Sequence, residues 1–275
     1  MASGWLRRLR HEAHAASFVL APSHVRTATS AYARDRAGRR RYRVLSVEEL
    51  RATRKTETAF VFGSGRSLVE IEPSEWAAIA EFDTFSLREF PRQSWVRADY
   101  HLTSEVDELE AYARRLRENP LYSDTVFAVQ GGWQAHMGNE LIGRTLLTPG
   151  ARIFRFRRTS RWRYSPPSPS PRRLVHGHNS IFDAANLAYA MGFRQIVLAG
   201  ADYYNKEYFW LAEGERRGYE APGVAPERQW GQADWIVEMM GRWHVHMRER
   251  GVELAVYNPR SLLARHLPVF RLPAG

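Results

Sequence analysis

The chain has no cysteine. Disulfides and thiolate metal sites are therefore excluded, and cysteine usage says nothing about the redox compartment. Long apolar runs are missing too. The longest near the start, Ala15 to Ala21, is far shorter than the roughly 20 residues needed to cross a bilayer and has no cleavage-site context. The expected location is cytoplasmic. No Asp-x-Asp pair occurs, so the carboxylate clasp with which many sugar-nucleotide enzymes hold a divalent metal has no counterpart, and no metal-ligand cluster is evident. Between His178 and His244 there is no histidine.

What is present suffices for a folded α/β protein. The 275 residues, 44% of them hydrophobic and nine of them tryptophan, provide core for one large domain or two small ones. The net charge of +10 is placed unevenly. Residues 1–56 hold 13 Arg and Lys against 4 Asp and Glu, which leaves about +1 for the rest. A basic arm on a near-neutral body points to a tether, and no aromatic-basic platform or known motif accompanies the charge, so nucleic acid is not the expected partner. Trp5-Leu6-Arg7-Arg8-Leu9-Arg10, with Phe18-Val19-Leu20 beyond, suits an anionic membrane surface. A merely solvated basic helix is the plainer alternative. The domain reading is an arm over 1–56 and a catalytic body over 57–275.

The body is organised around His176 to Trp210. A polar loop (His176, His178, Asn179, Ser180) precedes a helix with apolar residues at Ile181, Ala184, Ala185, Leu187, Ala188 and Met191. Gly192 suits a helix stop, and Gln195 to Gly200 reads as a strand buried on both faces. Asp202, Tyr203, Tyr204 and Tyr208 follow at its carboxyl end, where open α/β sheets bind ligands. Ordinary strand-end packing is an equally simple account of the tyrosines, and a turn role equally suits Asp202.

Upstream, Thr58 to Phe62 is a short strand running into Gly63-Ser64-Gly65-Arg66-Ser67-Leu68, and a helix spans Pro73 to Ala80. Strand, glycine turn and helix together suit a phosphate, because glycines let backbone amides approach the anion. Further strands are expected at Phe82–Ser86, Arg97–Leu102, Thr125–Gln130, Ala151–Phe156 and Val252–Tyr257. Helices are expected at Glu105–Arg117, capped by Thr103 or Ser104, and at Asp234–Arg250. The proline-rich run Ser165 to Pro171 reads as a surface excursion. Residues 205–232, without clear period, read as a lid.

From Asn179 to Tyr204 the pattern resembles the bacterial sialyltransferases of glycosyltransferase family 42, to which the motility-accessory-factor glycosyltransferases are related. Asn258-Pro259-Arg260-Ser261-Leu262-Leu263-Ala264 is similar to that family's closing segment, and Gly63 to Leu68 keeps both glycines and the Ser-Leu of its first loop. The resemblance covers roughly 58–268. It implies a Rossmann-like, mostly parallel sheet with helices on both faces, a GT-A variant. The implied activity is inverting, metal-independent transfer of sialic acid or a related nonulosonic acid from a CMP-activated donor to a cell-surface glycan or lipooligosaccharide; the basic arm, outside the resemblance, adds the expectation of an enzyme peripheral to the inner membrane. A homo-oligomer is compatible with this. Tyr204 and Tyr208 match the hydroxyls that hold the leaving phosphate. Gly63, Ser64, Gly65, Ser67, Asn179 and Ser180 would bind the nucleotide. Arg88 and Thr103 stand where the family has asparagines, and Asp202 would orient the loop. The family's base is a lid histidine, absent here. His178 is the favoured substitute; a lid acid (Glu213, Glu215, Glu220 or Asp234), or slow or absent catalysis, stays open. A pyrophosphokinase-like transferase and a non-catalytic binding module are the competing readings.

Overall fold

A computed structural model describes residues 22–103, 106, 108–132, 135–160, 164–177, 179–204, 207–212 and 233–273, with side chains from Ala28 on. The membrane-directed residues Trp5 to Leu20, the favoured base His178, Ser104 and lid residues 213–232 lie outside them.

In chain order the elements are α1 (Pro22–Gly38), β1 (Arg43–Val44), α2 (Val47–Ala52), β2 (Thr58–Phe62), α3 (Pro73–Ile79), β3 (Asp83–Leu87), β4 (Tyr100–Thr103) and α4 (Leu109–Glu118). Next come β5 (Val126–Gln130), α5 (His136–Gly143), β6 (Arg152–Ser160), β7 (Arg173–His176), α6 (Ser180–Met191), β8 (Gln195–Ala199), α7 (Ala233–Arg248) and β9 (Glu253–Val256). Nine strands among the described residues form one sheet, ordered β1-β6-β5-β4-β3-β2-β8-β9, with β7 also on β6. Every pairing is parallel. The expected α/β class is the observed one.

Alternating side chains bury both faces of the sheet. Ala59, Val61, Phe85, Leu87 and Leu198 join α6 and α7 in one core. Phe60, Phe62, Val197 and Ala199 pack on Trp76 and Ile79 of α3, and Phe127, Val129 and Ile153 on α4 and α5. Helices thus cover both faces, as parallel strands with continuous apolar runs require. Asn179 caps α6, its Oδ1 accepting from the Ile181 amide at 3.0 Å, and Gly192 ends it at φ +93°.

After the edge strand β1, which rests on β6, the chain crosses to β2 and moves outward through β3 to β6. It then returns to the other side of β2 for β8 and β9. The strand order therefore reverses between β2 and β8, and such a switch point leaves an open crevice at the carboxyl edge.

Three local features differ from sequence expectation. α1 and β1, inside the stretch read as an arm, are packed on the body: Ala31 and Asp35 are fully buried, and a Cβ on Gly143 would lie 2.7 Å from Arg34 Cβ. The proline-rich run lies at the surface, with Pro166 and Pro169 exposed, but is tied to the body rather than looping away from it. Asn186 of α6 accepts from the Ser168 amide at 3.1 Å and donates to its carbonyl at 2.7 Å, while the Trp243 indole donates to Ser165 O at 2.8 Å. α4 begins at Leu109, beyond the reach of a Thr103 cap; Thr103 Oγ1 donates instead to Ala128 O at 3.4 Å.

The core under α4 contains a fully buried imidazole, His101, bonded to Ser86 Oγ at 2.7 Å and to the Tyr112 hydroxyl. Burial pushes its pKa down to about 3. Above about pH 6.5 the folded and unfolded chains both hold it neutral; below that value only the unfolded chain takes up the proton. Stability is therefore fully present above about pH 6.5 and is lost as pH falls toward about 3, by about 1.4 kcal/mol per unit. Between pH 6.5 and 5, urea unfolding of the wild type should lose about 2 kcal/mol more than His101→Gln. Equal losses in the two proteins would refute this assignment.

Candidate active site

The crevice floor is made where β2 and β8 end. The Gly63 amide donates to Ala199 O and the Gly65 amide to Gly200 O, both at 2.7 Å. A Cβ on Gly63 would lie 2.3 Å from Gly200 O, and one on Gly65 2.2 Å from Asp202 Oδ2. Gly63 is required by the contact of two backbones, and Gly65 by the Asp202 carboxylate seated against it. The amides of Gly63, Gly65, Arg66, Ser67 and Leu68 all donate within the protein. The amide cradle expected from the motif is thus largely occupied, and an anion in the crevice meets mainly side chains.

Asp202 clamps the turn. Its carboxylate accepts from the Ser67 amide at 3.0 Å, Ser67 Oγ at 2.6 Å and Asn258 Nδ2 at 3.0 Å, while its carbonyl accepts from the Leu262 amide at 3.0 Å. Through these bonds Asp202 ties the turn to the Asn258–Leu262 segment. From the other side, Glu207 to Phe209 zips onto the turn: the Arg66 amide donates to Glu207 O at 3.1 Å, the Phe209 amide to Ser64 O at 3.2 Å, and Gly65 and Tyr208 form an antiparallel bridge.

Between these walls lies a cavity of about 360 Å³. Of the residues singled out in the sequence, Gly63, Ser64, Gly65, Arg88, Asn179 and Ser180 line it, with Asp202 and Tyr208. Ser67 faces a separate cavity of about 210 Å³. Thr103 is buried under β5 and does not reach the crevice. Tyr208 stacks on Trp210, ring centres 4.7 Å apart. Tyr204 is 37% exposed and lies outside the lining, its hydroxyl 3.4 Å from Asn258 Nδ2. Its neighbour Tyr203 takes the place inside, accepting from Asn179 Nδ2 at 2.9 Å, and burial raises its hydroxyl pKa.

Backbone strain marks the same place. Arg88 (φ +46°) and Tyr203 (φ +60°) are left-handed, at the ends of β3 and β8. For residues with a Cβ this costs on the order of 1–2 kcal/mol each, and such strain gathers at functional sites.

Two wall residues and a third behind them were given no role in the sequence reading. His176, at the end of β7, and Arg158, on β6, both line the cavity. Behind them Asp183 of α6 is fully buried, its carboxylate 3.0 Å from His176 Nδ1 and 2.8 Å from Arg158. The imidazole Nδ1–H donates to the carboxylate, which leaves Nε2 as the acceptor; a carboxylate-oriented imidazole is equipped to take a proton. A signal was available: Asp183 interrupts a helix buried nearly all round, and a buried acid requires a partner. Among the described residues no group of three or more His, Cys, Asp or Glu side chains could hold a metal ion, and no helix is long and apolar enough to cross a membrane.

No family model matches the chain. No curated protein matches it either. Among solved structures it is similar to the sialyltransferase CstII of Campylobacter jejuni in complex with the substrate analogue CMP-3FNeuAc, at 15% identity and TM-score 0.47, over 78% of this chain and 86% of that one. It is also similar to the sialyltransferase CST-II in complex with a trisaccharide acceptor and CMP, at 15% identity and TM-score 0.48, over the same shares.

Proposed function

We propose that the chain is a glycosyltransferase that moves sialic acid or a related nonulosonic acid from a CMP-activated donor to a glycan hydroxyl, with inversion and without metal. One observation carries the reading. The two segments that resemble family 42, Asn179–Tyr204 and Asn258–Ala264, meet at Asp202, which also fixes the glycine turn beside the cavity. The wall chemistry supports it. Arg88 and Arg158 offer guanidinium groups to a donor that carries both a carboxylate and a phosphate. Tyr208 supplies a hydroxyl toward the departing phosphate.

His176 is the proton acceptor in this reading. The acceptor oxygen bonds to the anomeric carbon as its proton passes to Nε2. The bond from that carbon to the phosphate oxygen breaks, and CMP leaves with the electron pair. Asp183 holds the ring in the required tautomer.

CMP should raise the melting temperature equally with and without EDTA. A shift seen only with ATP and Mg²⁺ would move the assignment to a metal-dependent nucleotide transferase. Donor hydrolysis should fall about 100-fold in Tyr208→Phe, the loss typical of one oriented donor. Comparing Tyr203→Phe with Tyr204→Phe then separates the hydroxyl seated in the cavity from the one the family pattern selects. A larger loss at Tyr204 would mean that the end of β8 rearranges around bound donor.

A further inference from the structure

We propose a second anion site, distinct from the crevice, that takes a phosphate-bearing ligand in a cavity of about 340 Å³ between α1, the carboxyl end of β5, the middle of β6 and the amino end of β7. Its wall carries five guanidinium groups, those of Arg39, Arg155, Arg157, Arg172 and Arg173. One buried carboxylate answers them: Asp35, 2.7 Å from Arg155 and 2.9 Å from Arg39 Nε. The chain has only two lysines, Lys55 and Lys206, so its cationic charge is almost wholly guanidinium, the planar fork that grips phosphate oxygens in pairs.

Two observations set this cavity apart from a solvated basic face. Arg155 has a side chain only 9% exposed, and its Nε has no hydrogen-bond partner. Burial, with Arg39 adding to it, pushes its pKa down to about 10. Gly131 keeps this group open to the cavity, since a Cβ there would lie 3.0 Å from Arg155 Nε and Nη2. The second observation is register. Arg157 and Arg173, both exposed, are register partners on the parallel strands β6 and β7, and like charges side by side repel. A bound anion between the strands turns that repulsion into shared attraction.

The site is separate from the crevice but close to it. Successive residues of a strand point to opposite faces. Arg158 faces the crevice and Arg157 the arginine cavity, and the two cavities share no lining residue. The ligand chemistry is a phosphate monoester or pyrophosphate, free in solution or carried on a lipid headgroup.

Inorganic pyrophosphate is the probe, titrated calorimetrically into the full chain with CMP at saturation. One site is expected to persist under CMP and to weaken about 100-fold in Arg157→Ala/Arg173→Ala, roughly tenfold per lost charged contact. Without anion the double variant should melt at or above the wild type, because the opposed charges are gone, and its CMP response should be unchanged. Vesicles of phosphatidic acid in phosphatidylcholine locate the source. Binding lost in the double variant supports a lipid phosphate, and pyrophosphate binding without vesicle binding supports a soluble ligand. Displacement of pyrophosphate by CMP, equal affinity in the double variant, or the same effect from chloride at matched ionic strength would each overturn the site. Failure of CMP to bind would remove the transferase reading and leave the pyrophosphate comparison intact.

Discussion

His176→Gln is expected to lower sugar transfer by about 10²–10⁴-fold, the usual contribution of a positioned general base, while the CMP thermal shift is retained. Glutamine preserves the size of the side chain but has no nitrogen that accepts a proton. The loss should fall on kcat, because the imidazole matters only once the acceptor hydroxyl begins to share its proton. A structural role is the rival account, since Asp183 also joins α6 to β6 through Arg158 and to β7 through His176. Azide separates the two. It is already an anion and needs no base, so it should restore turnover in His176→Gln and yield the glycosyl azide, with little effect on the wild type. A variant that loses activity, is not rescued by azide and melts early would leave His176 as a structural residue only. Asp183→Asn is less informative alone, because it leaves Arg158 without its carboxylate; breaking a buried pair in this way costs about 3–5 kcal/mol.

Gly63→Ala is expected to damage both stability and CMP binding. Its Cβ would lie 2.3 Å from Gly200 O, 2.8 Å from Gly200 C and 2.9 Å from Ile181 Cδ1. Two of those atoms are backbone, so no rotamer relieves the overlap, and β2 must move away from β8. That places the cost at the upper end of the about 1–3 kcal/mol typical of overpacking, or beyond it. The same movement lengthens the bond from the Gly63 amide to Ala199 O and opens the crevice floor. Gly150→Ala is the control. Gly150 has φ +80° with no atom within 4 Å of an added Cβ, so only the backbone term of about 1–2 kcal/mol applies. Urea midpoints and CMP thermal shifts for the two variants decide the matter. If Gly63→Ala is no worse than Gly150→Ala, the close-packed switch point is the wrong account of this turn.

Much of the scaffold was legible. Thr58–Phe62 and Gln195–Gly200 read as strands because they are short apolar runs bounded by charge and glycine, and strands are found at Thr58–Phe62 and Gln195–Ala199. α6 was marked by its apolar spacing and by Gly192, which adopts the left-handed stop that the residue type allows. β1 and β7 were missed. One has two residues and the other four, and each rests on β6, so their sequences carry too little pattern to stand out.

The lining of the cavity was legible at its glycine turn, Arg88, Asn179, Ser180 and Tyr208, all of which lie on segments next to β2, β3 or β8. It was illegible where two distant elements had to meet. His176, Arg158 and Asp183 come from β7, β6 and α6, and nothing in their local patterns states that they share one wall. Neither does local pattern distinguish Tyr203 from Tyr204: the left-handed backbone at Tyr203 decides which ring lies inside.

By itself, then, the sequence determined the class of fold, the order of its central elements and the two glycine-bearing strand ends, because burial period and turn chemistry act over a few neighbouring residues. Tertiary structure alone decided the reversal of strand order beside β2, the docking of α1, the imidazole–carboxylate pair and the opposed arginines of β6 and β7. Those depend on register and crossover between segments far apart in the chain, and such pairings leave no mark on either segment alone.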